Sequence, residues 1–191
     1  FAPSVEDIYP EPDTRVFDFG ALDALGEGPR RPGHFNGVAQ VITKLFDIVK
    51  PKYAFFGEKD FQQLAIVKYF TKQLSYPVQI IACPIVREAD GLAMSSRNTL
   101  LTPEQRKAAP LIYQALLNAS SLAKEEKITP KELLKLTVNK INSSPQLEVE
   151  YIEIVDSATL QPVSLWDEAQ EIQMWTAVFA GKTRLIDNIK L

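Results

Sequence analysis

Three short stretches of this chain gather residue types that handle anions. Gly57-Glu58-Lys59-Asp60 lies between a short apolar run and a periodic one. A turn at that place presents unpaired N–H groups and the positive end of a helix dipole, both of which favour an anion. Gly57 would permit close approach, and Lys59 would add a point charge. The same four residues also read as a solvated turn that only caps a helix. Met94-Ser95-Ser96-Arg97 offers two adjacent hydroxyls and a guanidinium, a set able to wrap phosphate oxygens. A polar connection with Arg97 paired to a carboxylate fits that composition equally well. His34, in Arg31-Pro32-Gly33-His34-Phe35, is the single imidazole of the chain. It can touch a phosphate or move a proton, or serve as a capping and packing residue. Gln62 and Gln63 can present amides to a hydroxy acid or face water, and spacing does not choose between these.

The elements around these residues follow from periodicity. Residues 1–33 hold five prolines and read as loop, apart from a strand expected at Arg15–Phe19. Val38, Val41, Ile42, Leu45, Phe46 and Val49 recur at helical spacing, so a helix is predicted over 35–49, ended by Pro51. Tyr53–Phe56 predicts a strand. The periodic set Phe61, Leu64, Val67, Phe70 and Leu74 predicts a helix opening at Asp60, and 78–83 predicts a second strand. Strand, helix and strand of this length make one parallel crossover. Continuously apolar strands of that kind are expected to be covered on both faces, with ligands at their carboxyl ends. Both Gly57–Asp60 and Met94–Arg97 follow such ends.

Beyond Pro84 the pattern changes. Thr102-Pro103-Glu104-Gln105 and Thr129-Pro130-Lys131-Glu132 each combine an N-cap threonine, a first-turn proline and a third-position Gln or Glu. Each predicts a helix start. Pro110 should kink the first of these helices. The β-prone runs 147–155, 171–180 and 183–187 then predict antiparallel strands, giving an α+β tail. The expected boundary divides 1–85 from 86–191. No repeat or low-complexity tract interrupts either part.

Composition narrows the classes. With 21 Lys+Arg against 24 Asp+Glu, the net charge is −3, which disfavours nucleic acid or an anionic membrane as partner. No apolar run approaches the roughly 20 residues that cross a bilayer. Cys83 is the only cysteine, so neither an intrachain disulfide nor a Cys/His zinc cluster is expected, and no metal ligand set is predicted. A cytoplasmic location is expected. The start at Phe1 within FAPSVEDIYP has no signal-peptide character and reads as a beginning in mid-protein.

RPGHFNGV, FFGEKDFQQL and PIVREADGLAMSSRN, in that order, resemble the pantoate–β-alanine ligases, members of the nucleotidyltransferase superfamily that also holds class I aminoacyl-tRNA synthetases. GKTRLIDNI at 181–189 is similar to the family's ending. The resemblance implies part of a Rossmann-like, parallel-sheet nucleotide-binding domain over 1–85, followed by a smaller α+β lid domain over 86–191. It implies ATP and pantoate reacting to pantoyl adenylate and pyrophosphate, after which β-alanine displaces AMP. Mg²⁺ is expected with ATP, and a homodimer is expected.

Carried over by motif, the resemblance implies that Lys59 neutralises the triphosphate, with Gly57 and Asp60 near the ribose. Met94, Ser95, Ser96 and Arg97 correspond to the synthetase KMSKS loop. His34 is implied at the nucleotide site, Val86 as a backbone contact to adenine, and Gln63 as a pantoate ligand. One departure stands out. The family's paired-histidine HxGH motif, its proline-threonine-methionine-glycine turn and the Asn and Gln that help hold pantoate are absent. The expectation is therefore a chain lacking about the first third of the enzyme and ligating weakly or not at all by itself. A non-catalytic nucleotide-binding module that needs a partner chain, or a related nucleotidyltransferase, would carry the same loops.

Overall fold

The computed structural model describes residues 2–125 and 127–191; the unusual first residue, Phe1, lies outside them. The chain divides into two compact units. The first comprises residues 1–56 and 62–82, the second 57–61 and 83–191. The short stretch from Gly57 to Phe61 thus belongs with the carboxyl-terminal residues and not with the strand that leads into it.

In the first unit, helices α1 (Val5–Ile8), α2 (Glu27–Arg30) and α3 (His34–Val49) precede strand β1 (Tyr53–Gly57), helix α4 (Phe61–Gln73) and strand β2 (Gln79–Cys83). β1 and β2 form a two-stranded parallel sheet, α4 being the crossover between them. Phe35, Ala39, Ile42 and Phe46 of α3 meet Ile66, Val67 and Phe70 of α4, with Ala54, Phe56 and Ile80 of the sheet packed against them. Side chains alternate across a strand, so Tyr53 and Phe55 point the other way. Phe55 is 67% exposed. The expected burial of these strands on both faces is thus corrected: among the described residues the apolar cluster covers one face of β1.

Arg15–Phe19 is not a strand. Its backbone finds partners on α3 instead of on a neighbouring strand. Phe17 N–H donates to Asn36 Oδ1, the Asn36 amide donates to Arg15 O, and Gln40 donates to the carbonyls of Asp13 and Arg15. Polar side chains one turn apart on a helix thereby satisfy the segment, while Phe19 enters the core.

The second unit contains α5 (Pro103–Ala108), α6 (Leu111–Lys124), α7 (Pro130–Ile141) and strands β3 (Leu147–Asp156), β4 (Ile172–Ala180) and β5 (Thr183–Lys190). Both threonine caps form full capping boxes, Thr102 with Gln105 and Thr129 with Glu132. Pro110 does more than kink a helix: α5 stops before it and α6 starts after it. The strands form an antiparallel sheet in the order β3-β4-β5, with a register irregularity between Val149 and Tyr151. Ile112, Leu116, Leu133 and Ile141 of the helices pack with Met174, Val178 and Leu185 of the sheet. β4 is central and nearly all buried, whereas β5 is an edge strand. That edge is where the predicted loops meet the sheet.

Candidate functional site

Glu58, Lys59 and Asp60 form one turn of 3₁₀ helix that runs directly into α4 at Phe61. Gly57 has an ordinary negative φ of −71°. A Cβ there would meet nothing within 4 Å. Neither backbone conformation nor crowding inside the chain demands glycine at this position. What glycine leaves is open space beside its own α-carbon, which lets a ligand approach the backbone closely. Lys59 is half-buried and Asp60 exposed.

The turn is tied to β5. Asn188 donates through its amide nitrogen to Glu58 O at 2.9 Å and to Lys59 O at 3.0 Å. Gln173 on β4 donates to the Asn188 Oδ1 at 2.7 Å and so orients that amide. Phe61 stands edge-on to Trp175, which lies opposite Asn188 in the β4–β5 register.

Residues 86–94 double back as a narrow hairpin. Met94 N–H donates to Val86 O, Arg87 and Ala93 bridge, and Glu88 N–H donates to Leu92 O. Val86, the expected adenine contact, and Met94, the first residue of the expected KMSKS-like loop, are therefore brought side by side, Val86 64% and Met94 47% exposed. Since the Val86 carbonyl already accepts from Met94, its N–H is the better candidate for contact with a base. At the hairpin tip Gly91 has φ +93°, in the region that side chains avoid. Asp90 is tied to Arg106 at 2.5 Å, a hydrogen bond that holds its carboxyl below the usual carboxylate range.

Arg87 anchors the hairpin from below. Its guanidinium donates in fork fashion to both carboxylate oxygens of Asp187, at 2.7 and 2.9 Å. It also donates to Gly91 O and lies 3.6 Å from the centre of the Tyr113 ring. Asp187 is 4% exposed, so its charge has to be paired, and the bidentate arrangement does this.

Ser95 accepts from Arg97 N–H and caps a 3₁₀ turn over Ser96–Leu100. Ser96 and Arg97 are exposed. Arg97 donates to the carbonyl of Arg184 on β5 at 3.2 Å; among the described residues its hydrogen bond goes to a backbone oxygen and not to a carboxylate. Its positive charge remains available to an anion. Lys59, Ser95, Asn98, Arg184 and Asp187 line one small cavity of about 10 Å³, about the space of a water molecule. Lys59 and the Met94–Arg97 loop, remote in sequence, thus converge along the edge of β5.

His34 and Gln63 belong to the first unit. His34 is the first residue of α3, half-buried beside Phe35. Arg31, which can only donate, lies 3.0 Å from its Nε2, so the ring accepts there. The two glutamines separate clearly. Gln62 is buried and structural: it donates to the carbonyls of Leu22 and Leu25 and accepts from Glu27 N–H, closing the loop before α2. Gln63 is half-buried, and its amide makes no hydrogen bond among the described residues. A larger surface hollow, about 700 Å³, lies by Phe46, Lys50, Pro51 and Tyr76, at the starts of the strands and away from every predicted site residue.

The residues that sequence reading missed are Arg87, Gln173, Asp187 and Asn188. The run TRLIDNIK alternates like a strand, but its Asp-Asn pair gives no local sign that the partners lie some 100 to 130 positions away. Among the described residues no group of three or more His, Cys, Asp or Glu side chains could hold a metal ion. No helix among them is long and apolar enough to cross a membrane.

Comparison with known proteins gives a consistent result. The family model described as pantoate-beta-alanine ligase matches residues 1–190. Pantothenate synthetase of Bacteroides fragilis strain YCH46 is 51% identical over 190 residues, and that of Porphyromonas gingivalis strain W83 is 50% identical. In both cases all of this chain aligns with 67% of the relative. The crystal structure of pantothenate synthetase from Thermus thermophilus superposes with a TM-score of 0.92 at 44% identity, over the whole chain and 68% of that structure. A Francisella tularensis pantoate-beta-alanine ligase, solved in complex with beta-gamma ATP and beta-alanine, gives a TM-score of 0.72 at 33% identity, over 97% of this chain and 61% of that one. With loops and fold agreeing along its whole length, the chain belongs to the pantoate–β-alanine ligase family.

Proposed function

We propose that this chain supplies the phosphate-handling part of an ATP-dependent ligase that joins pantoate to β-alanine. The observation that carries this reading is the convergence of Lys59 with the Ser95–Arg97 loop along β5. In the first step a pantoate carboxylate oxygen attacks the α-phosphorus of ATP, and pyrophosphate leaves with the bond electrons. In the second, the β-alanine amine attacks the acyl carbon of pantoyl adenylate, AMP departs, and the amine loses a proton. No side chain needs to form a covalent bond to substrate. Positioning and charge stabilisation suffice.

Lys59 and Arg97 meet the negative charge that grows on the leaving pyrophosphate. The hydroxyls of Ser95 and Ser96 and the N–H groups after Gly57 donate to phosphate oxygens, and Asp60 takes the ribose. Val86 and Met94, paired in the hairpin, face the adenine. Gln63 receives pantoate, and His34 contacts the nucleotide. ATP enters as its Mg²⁺ complex, with the ion held by phosphates and water. The part over 86–191 acts as the lid domain, the enzyme works as a cytoplasmic homodimer, and neither nucleic acid nor membrane is a partner.

Relatives are longer than this chain by about half its length, and one face of β1 carries the exposed Phe55. We infer that full ligation needs that further segment. The test is AMP release that depends on both pantoate and β-alanine, by the chain alone and after addition of the segment of a relative that lies outside the match. The reading predicts low or no turnover alone and recovery on mixing, with Lys59→Ala abolishing the recovery. Turnover indifferent to Lys59→Ala would overturn the role of that lysine. ATP binding without any recovery would favour a nucleotide-binding module.

A further inference from the structure

We infer that Asp187 and Asn188, adjacent on the edge strand β5, are positioning residues that set Lys59 and the Met94–Arg97 loop at a fixed separation. The inference rests on the reading that these two segments bind the phosphates of ATP. Adjacent residues of a strand point to opposite faces of the sheet. Asp187 therefore grips the hairpin through Arg87, and Asn188 grips the Gly57–Asp60 turn from the other side. One peptide unit joins the two anchors, and the Asp187 carboxylate also accepts from Asn188 N–H at 2.8 Å.

Chemistry assigns the Asn188 amide its direction. Carbonyls accept only, so the group facing Glu58 O and Lys59 O must be the NH₂, and the oxygen is left to accept from Gln173. Every polar atom of that side chain is thus engaged, at 4% exposure. Two hydrogen bonds on successive carbonyls restrain the orientation of a turn whose ends are held by β1 and α4. The turn carries Lys59 on its middle residue, so its orientation sets the starting direction of that side chain. Neither Asp187 nor Asn188 need touch the nucleotide.

The experiment has two arms on the 191-residue chain. Amide hydrogen exchange reads the anchor directly. Asn188→Ala and the isosteric Asn188→Asp should each speed exchange at Asp60 and Phe61, the amides that the 3₁₀ turn itself pairs, about tenfold or more, leaving α7 and the centre of β4 unchanged. Asp187→Asn should do the same for residues 87–94. Unchanged exchange at Asp60 and Phe61 overturns the inference, as does wild-type protection in Asn188→Asp, which keeps the volume but loses the donor. Where either variant fails to fold, Gln173→Met, which removes only the group orienting Asn188, should give a several-fold effect at the same amides.

The second arm titrates Mg²⁺-ATP into wild type, Asn188→Ala, Lys59→Ala and the double variant. A positioning role predicts that Asn188→Ala weakens binding about tenfold alone and by less than twofold when Lys59 is already absent. Equal losses in both backgrounds mean that Asn188 acts independently of Lys59 and overturn the inference. If wild type does not bind ATP even after the relative's further segment is added, it is the proposed function that fails, and the exchange arm still decides the anchor.

Discussion

At the scale of single residues, the arrangement separates groups that face outward from groups that hold them. Lys59 and Arg97 carry charge toward the edge of β5, whereas Arg87 carries the same charge into a buried pair with Asp187. Substitutions should therefore divide into two kinds. Lys59→Ala should weaken Mg²⁺-ATP binding by about tenfold or more, the scale of one hydrogen bond to a charged group, with the melting temperature unchanged. Calorimetric titration beside a thermal melt checks both halves. Arg87→Ala leaves the Asp187 carboxylate buried and unpaired, so its first effect is on stability, of about 3–5 kcal/mol as for other broken buried pairs. Denaturant unfolding reads that loss. Sequence alone could not tell these two basic residues apart, because each sits in a polar, loop-like stretch and the difference lies in what β5 brings beneath it.

At the scale of elements, legibility follows the range of the interactions involved. The helices that start at Pro103 and Pro130 were visible because a capping box is written in four consecutive residues. α3, α4 and the three strands of the second unit were visible because their apolar spacing is local. Arg15–Phe19 misled because its composition suits a strand, while its hydrogen bonds are supplied by Asn36 and Gln40 some twenty positions later. The loops bearing Lys59 and Ser95–Arg97 were found by motif, but their anchors on β5 depend on contacts that leave no local pattern. The hairpin over 86–94 offers a test of element-scale strain. Gly91 has positive φ, and a Cβ there would lie 2.5 Å from the Tyr113 ring on which Arg87 stacks. Gly91→Ala should cost about 1–3 kcal/mol by backbone strain, with the displaced ring adding to it. The expected signature is lower unfolding stability together with faster amide exchange across 87–93, while Gly57→Ala, in open space, should leave stability nearly unchanged.

At the scale of the whole molecule, a net charge of −3 provides no long-range field to draw in a triphosphate, so attraction has to come from the local cations at β5. The carboxylates impose a further common behaviour, since among the described residues those that shift all move downward. Asp13 is held down to about 2, first by its hydrogen bond from Arg15. Asp90 is lowered first by its hydrogen bond from Arg106, and Glu132 and Glu168 by backbone N–H groups at helix and turn starts. A carboxyl whose folded pKa lies below its unfolded value of about 4 binds its proton more tightly in the unfolded chain. Its contribution is present above that unfolded value and is lost as pH falls through the folded one. The melting temperature should accordingly stay level on this account from about pH 8 to 6, begin to drop below about pH 5, and keep dropping towards about pH 2. Asp13→Asn should flatten the lowest part of that fall and leave the neutral plateau slightly lower, because it removes the group with the lowest pKa and its bond to Arg15. High salt should shrink the contributions of the exposed pairs, such as Asp90 with Arg106, more than that of Asp13, whose side chain is only 5% exposed. Thermal melts of wild type and Asp13→Asn across that pH range, at low and high salt, check each part, and a wild-type melting temperature that rises on acidification would contradict the sign.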